Sequence, residues 1–275
     1  YQRLYSAYHG KANDRLRIAL APVNLIYMTP EGLHALREFS EKYQLIVHTH
    51  VAEGKTEVDI VKRQYGKNYI EVFHEYGLLN NRFHSVHSVW LTQKEIKLLA
   101  TAKSTVIYNP ASNMYLASGV CPVPQIRDAG INIAIGTDSQ PANATLDLMC
   151  HLNIAAILQK VYNLNPKIVT ASEILEMAIL GGARAMGMEN TIGSLEPGKK
   201  ADIITVDMRQ PYLQPVHDPI AAIVYGATGS DVSTVIIDGK IILKEKKFTT
   251  INEEEVVRDA VSAAYALRQE VEEEN

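Results

Sequence analysis

Residues 45–54 read LIVHTHVAEG. An apolar run leads into two histidines spaced two apart, and Glu53 follows His50 by three positions. On a strand, alternate residues share a face, so His48 and His50 point the same way. Two functional readings are open. One makes the histidines a pair of metal ligands. The other couples His50, a neutral imidazole of the kind zinc and ferrous iron accept, with Glu53, a carboxylate able to move protons. The bland alternative to both is a core histidine followed by a helix-start glutamate.

The neighbouring segments decide what kind of strand this is. RIALAP (17–22), LIVHTH (45–50), FHSVHS (83–88), TVIYNP (105–110) and INIAIGTD (131–138) are short apolar runs ending in polar residues, Gly or Pro. Runs of this kind suit buried parallel strands. Amphipathic helical segments lie between them. TPEGLHALREFSEKY (29–43) opens with a Thr cap and Pro, and Thr92/Glu95 and Thr170/Glu173 are spaced as capping boxes. Alternating strands and helices predict a parallel α/β sheet. Four polar residues, His50, His87, Asn109 and Asp138, stand at the C-terminal ends of successive strands. That placement favours a (β/α)8 TIM barrel, which builds its site there, over an open sheet with one crevice. An aspartate ending a run like INIAIG has no packing reason to be there, because a buried carboxylate must be paired or bound to metal; its alternative is a helix N-cap.

After about residue 190 the texture changes. GSLEPGKKADIITVD (193–207) and VSTVIIDGKIILKEKKFTT (232–250) read as strands with Gly-centred turns, Asp238-Gly239 marking a hairpin. The expected division is a barrel portion at 1–190, part of a small β-sandwich domain at 191–250, and a C-terminal helix at 251–275 with acidic residues in its first turn and a solvated acidic tail.

Other chemistries find little support. GSLEPGKK has the spacing of a phosphate loop, but Lys200 stands where Ser or Thr should be, and the segment enters a strand. The net charge of −4 gives no reason to expect nucleic acid or a membrane surface, and no apolar run reaches spanning length. The 2 cysteines, Cys121 and Cys150, are not spaced as a metal or redox pair, which favours a reducing compartment, the cytoplasm. His9, His34, His74, His84, His151 and His217 read as surface or capping residues, and His48 as a supporting core histidine.

Taken together, HVAE, VHSVWL, YNPASNMYLASGVCPVPQIRDAGINIAIGTDS, GGARAMG and IGSLEPGKKADIITVD make the chain resemble the amidohydrolase superfamily. The likeness is to its cytosine-deaminase-like aminohydrolase and chlorohydrolase branch, above all the 5'-methylthioadenosine/S-adenosylhomocysteine deaminases, and it covers almost the whole chain. The resemblance implies a metal-dependent hydrolase that deaminates a purine-like or related nitrogen heterocycle. It makes His50 and Asp138 ligands of one divalent metal, zinc or else iron. It makes Glu53 the proton shuttle and His87 a hydrogen-bond partner of the attacking water. Asp138 also takes a proton from that water. The small heterocyclic substrate is the implied partner, and homo-oligomers are common in the family. Ser112 and Asn113 lie close in sequence to the site but receive no role.

Two departures touch substrate recognition. Val23 and Asn24 stand where such deaminases carry a histidine, and Cys150 and His151 replace an expected acidic pair. They leave room for a triazine-type chlorohydrolase, or for a barrel without catalysis. The family's H-x-H pair of first-strand ligands has no counterpart in residues 1–44, and the chain starts at Tyr1 inside a helical pattern. With five βα units where a barrel needs eight, the expectation is the C-terminal portion of a longer protein, inactive by itself.

Overall fold

The computed structural model describes residues 1–273. Its centre is a four-stranded parallel sheet in sequential order: β1 (Val47–Val51), β2 (Phe83–His87), β3 (Thr105–Tyr108) and β4 (Asn132–Ile135). Helices return the chain between strands: Lys55–Tyr65 and Tyr69–Glu75 after β1, Gln93–Thr101 after β2, Val123–Asp128 after β3. This is a partial (β/α)8 barrel, as expected. The capping boxes at Thr92 and Thr170 are both formed.

The expected strand at 17–22 is the exception. It reaches β1 only through isolated parallel bridges, Leu20 with Val47 and Asn24 with His50. Pro22 explains the gap, because it brings no N–H to the ladder between them.

Register sorts the sheet into two faces. Val47, Phe83, Val106, Tyr108, Ile133 and Ile135 point outward, and all belong to the apolar core under the helices. The opposite, inner face carries His48, His84, Thr105 and Asn132 in one row across the four strands, with His50, Val86, Ile107 and Ala134 in the next. Beneath the polar row a π-helical turn, Met177–Gly181, closes on β4. The approach is so tight that a Cβ on Gly181 would sit 2.0 Å from the Ile133 carbonyl oxygen. Asn132 uses the proximity, donating from Nδ2 to the Gly181 carbonyl at 3.0 Å and to Thr105 Oγ1 at 3.2 Å.

The second sheet is antiparallel, in the order β5 (Ile203–Val206), β6 (Val232–Ile237), β7 (Lys240–Lys244), β8 (Lys247–Phe248), with Asp238 and Gly239 turning the predicted hairpin. Between β5 and β6 the helix Pro219–Gly226 packs back on Leu148–Tyr162 and Ala171–Glu176. The final helix spans Glu253–Glu273, and residues 274 and 275 of the predicted acidic tail lie outside the described residues. No helix among the described residues is long and apolar enough to cross a membrane.

Candidate active site

The four predicted site residues converge at the C-terminal end of the parallel sheet. His50 points inward from β1, and its ring stacks on His87 with centroids 5.2 Å apart and planes 15° from parallel. His87 Nε2 faces two carboxylates, Glu53 Oε2 at 3.6 Å and Asp138 Oδ2 at 3.7 Å. Ligating atoms of His50, Glu53 and His87 all lie within 4.8 Å of one another. The adjoining cavity of about 340 Å³ is lined by His48, His50, His87, Asn109 and Asp138, with Val23 at its edge.

Backbone strain helps to build this arrangement. His87 pairs in register with Val51, an outward position, yet its ring reaches His50. It does so with a left-handed backbone at φ 67°, followed by Ser88 at φ 56°; Asp138 is left-handed too, at φ 63°. Non-glycine residues adopt this region at a cost of about 1 kcal/mol or more, and such outliers gather at functional sites. The loops after β1 and β2 are tied by backbone bonds, Ser88 N–H to Val51 and Trp90 N–H to Ala52.

The partners of each side chain define what it can do. His50 Nδ1 meets the Val23 carbonyl. A carbonyl only accepts, so Nδ1 carries the proton and Nε2 keeps a free lone pair, the usual preparation of a metal-ligating histidine. His87 is fully buried, and its Nε2 has no hydrogen-bond partner among the described residues. The free Nε2 lone pair of His50 and the Asp138 carboxylate, which line the same cavity, form an N/O donor set that fits zinc or iron.

The environment pushes the two carboxylates apart. Burial raises the pKa of Glu53, with Glu57 and Asp138 adding to the effect and the Ser118 hydrogen bond opposing it. Burial also acts to raise Asp138, but hydrogen bonds from the Ser112 hydroxyl and the Ser139 N–H outweigh it and hold the group below its ordinary range. One carboxyl poised to carry a proton beside another kept ionised is the pattern of acid/base assignment in hydrolytic sites. Burial lowers His87 to about 4, helped by His50 and opposed by Asp138, so it is neutral near pH 7.

Three histidine readings need correction. His48 is exposed, not in the core: its inner face is the open side of the sheet. His84 is 4% exposed, within a strand, and His151 is fully buried on the helix Leu148–Tyr162. His34, His74 and His217 are exposed as expected. Asn24, one of the two departures, is a structural residue: buried, it accepts from Tyr69 Oη at 2.7 Å and caps the following turn through Ile26 N–H. The apparent phosphate loop is a turn leading toward β5, where Lys199 Nζ bonds Ser194 Oγ at 2.6 Å.

Sequence reading gave no role to a group of residues that touches the site directly. Ser112 donates to Asp138, Asn113 bonds His87, and Ser118 donates to Glu53. The Trp90 indole N–H in turn donates to the Ser118 carbonyl at 2.8 Å. The one available signal was the polar, small-residue composition of NPASNMYLASG directly after β3.

Comparison with known proteins shows the family and the fold. The model of the amidohydrolase family matches residues 2–242. A 5'-deoxyadenosine deaminase from Methanosphaera stadtmanae is 40% identical over 259 residues, covering 94% of this chain and 60% of that protein. A 5-methylthioadenosine/S-adenosylhomocysteine deaminase from Moorella thermoacetica is 43% identical over 249 residues, covering 90% and 58%. The chain therefore spans about three-fifths of the length of these relatives. Among solved structures, a zinc-bound adenosine deaminase from Xanthomonas campestris superposes with a TM-score of 0.93 at 32% identity, over 98% of this chain and 61% of that one. A zinc complex of atrazine chlorohydrolase from Arthrobacter aurescens gives 0.89 at 26% identity, over 95% and 58%.

Proposed function

The chain belongs to the amidohydrolase family, and on that premise we propose that the protein carrying it is a metal-dependent aminohydrolase that releases ammonia from an adenosine derivative. The observation that carries this reading is the meeting of His50, Glu53, His87 and Asp138 at one end of the sheet. The deaminase names of the relatives support the substrate class.

His50 and Asp138 would hold one divalent ion, zinc in the first instance. When bound, that ion supplies a Lewis acid that lowers the pKa of a water toward neutrality. The remaining chemistry belongs to the protein. Asp138, held ionised by Ser112 and Ser139, accepts the proton of the attacking water. Glu53, with its raised pKa, carries a proton to the ring nitrogen and then to the departing amino group. His87 donates from Nε2 to the oxygen on which negative charge develops. The same reading divides the chain into a barrel portion at 1–190, a β-sandwich portion at 191–250 and a terminal helix at 251–275, working in the cytoplasm.

The test is ammonia release by the whole gene product that carries this chain, assayed on adenosine derivatives, other purines and aminotriazines, with bound zinc and iron measured in the same preparation. Ammonia from an adenosine derivative by zinc-loaded protein is expected. Bound metal without turnover of any of these would overturn the reading. The likeness to a chlorohydrolase gives a second reading specific support; halide released from a chlorotriazine in place of ammonia would establish it.

A further inference from the structure

One short segment, 112–118, touches three of the four proposed site residues. Ser112 Oγ donates to Asp138 Oδ2 at 2.6 Å, Asn113 Nδ2 lies 2.9 Å from His87 Nδ1, and Ser118 Oγ donates to Glu53 Oε1 at 3.2 Å. Ser112 and Asn113 are buried. The segment has little freedom to shift. Asn113 N–H bonds the Asn109 carbonyl at 3.1 Å, Ser118 N–H bonds the Asn113 carbonyl at 2.9 Å, and Trp90 holds Ser118 from the other side. At its end Gly119, φ +123°, leaves no room for a side chain, since a Cβ would lie 2.8 Å from Val89 Cγ1.

The Asn113–His87 contact has a direction that the surroundings decide. His87 Nε2 faces Glu53 and Asp138. Asp138 receives hydrogen bonds from Ser112 and Ser139 that suit a carboxylate, which only accepts, so a bare lone pair at Nε2 would be repelled by it, whereas an N–H there is favoured. A neutral ring with its proton on Nε2 leaves Nδ1 as an acceptor, and Nδ1 then needs a donor. The Asn113 amide supplies one.

Resting on the aminohydrolase reading for its catalytic consequence, we infer that Asn113 is a positioning residue. By donating to Nδ1 of His87, it fixes the tautomer that aims Nε2–H between Glu53 and Asp138, while Ser112 and Ser118 hold the two flanking carboxylates. An aspartate at 113 offers only acceptors and so calls for a proton on Nδ1 as well, which removes the single tautomer that the amide selects.

The whole zinc-loaded gene product, labelled with ¹⁵N-histidine, tests this by long-range ¹H–¹⁵N correlation, with the His87 signals assigned by their loss in His87→Gln. The parent is expected to show the Nε2–H tautomer. Asn113→Asp is expected to place a proton on Nδ1 in addition to the one on Nε2 and to lower kcat by about 10- to 100-fold, the usual reach of such a supporting hydrogen bond, with KM and zinc content little changed. Asn113→Ser, which keeps a small donor, should recover part of the rate. An Nδ1–H tautomer in the parent overturns the inference even if the variants fail to fold, and so does an Nδ1 that stays unprotonated in a folded Asn113→Asp protein. A parent with the Nε2–H tautomer that responds to Asn113, yet releases no ammonia, supports the positioning and rejects the aminohydrolase reading instead.

Discussion

Strands β1 and β2 carry two pairs of histidines, one at each end. His50 and His87 stack at the C-terminal end, and His48 and His84 meet edge-on at the other with centroids 5.5 Å apart. The residue types are identical and the surroundings are not. Among the described residues the lower pair has no carboxylate in hydrogen-bond or ion-pair contact: His84 Nε2 donates to the Ala185 carbonyl at 2.9 Å, and the two Nδ1 atoms lie 3.2 Å apart. Because Nε2 of His84 carries the proton, its Nδ1 accepts and that of His48 donates. Each proton in the lower pair is committed to a fixed partner. In the upper pair His87 Nε2 is aimed at two carboxylates and is bonded to neither. What separates the candidate site from the structural pair is therefore which groups face it.

Four measurements would break or sharpen that contrast, from the largest expected effect to the smallest. Glu53→Gln removes the proposed proton carrier and keeps the shape. Turnover of the whole protein should fall by about 10²- to 10⁴-fold, roughly 3–5 kcal/mol in transition-state stabilisation, with the melting temperature nearly unchanged. A near-normal rate would remove Glu53 from the mechanism. Gly181→Ala tests the floor under the lower pair. With a Cβ 2.0 Å from the Ile133 carbonyl oxygen, a loss of about 1–3 kcal/mol of stability or more is expected in urea titration. A variant as stable as the parent would mean that the helix backs away freely.

Acid should weaken the lower pair. Burial lowers the pKa of His84 from 6.5, and the bond to Ala185 only partly offsets this. As the pH drops below about 6.5, the unfolded chain binds a proton that the folded chain resists, so stability falls. His84→Gln should flatten that slope between the ordinary histidine range and the lower folded value. An unchanged slope would show that other groups control it. Last, His48→Gln is expected to leave kcat within about twofold and zinc content unchanged, as for a surface substitution outside the mechanism. Loss of zinc would instead restore His48 to the list of ligands.

The same contrast marks what the sequence discloses. Strand ends point to His50, His87 and Asp138 as candidates, because a polar residue closing an apolar run has few packing explanations, and the structure brings the three together. Glu53 follows from its distance to His50. The periodicity of FHSVHS places His84 inside a strand, but it cannot say that a carbonyl from a helix about a hundred residues away waits for its ring. Nor can it say whether the face bearing His48 is covered. The edge strand at 17–22 fails for a local reason, Pro22, that was visible all along. Ser112, Asn113 and Ser118 were missed because their role arises from contacts between strands far apart in the chain.

Trp90 is the sole tryptophan of the 275 residues. Its indole hydrogen bond to Ser118 places that fluorophore next to the hydroxyl that holds Glu53. Half-exposed and under the Lys55 ammonium, 5.8 Å from the ring centroid, it responds both to solvent and to a nearby charge. Its emission is thus a native optical reporter of how firmly the loop grips Glu53, readable without a label.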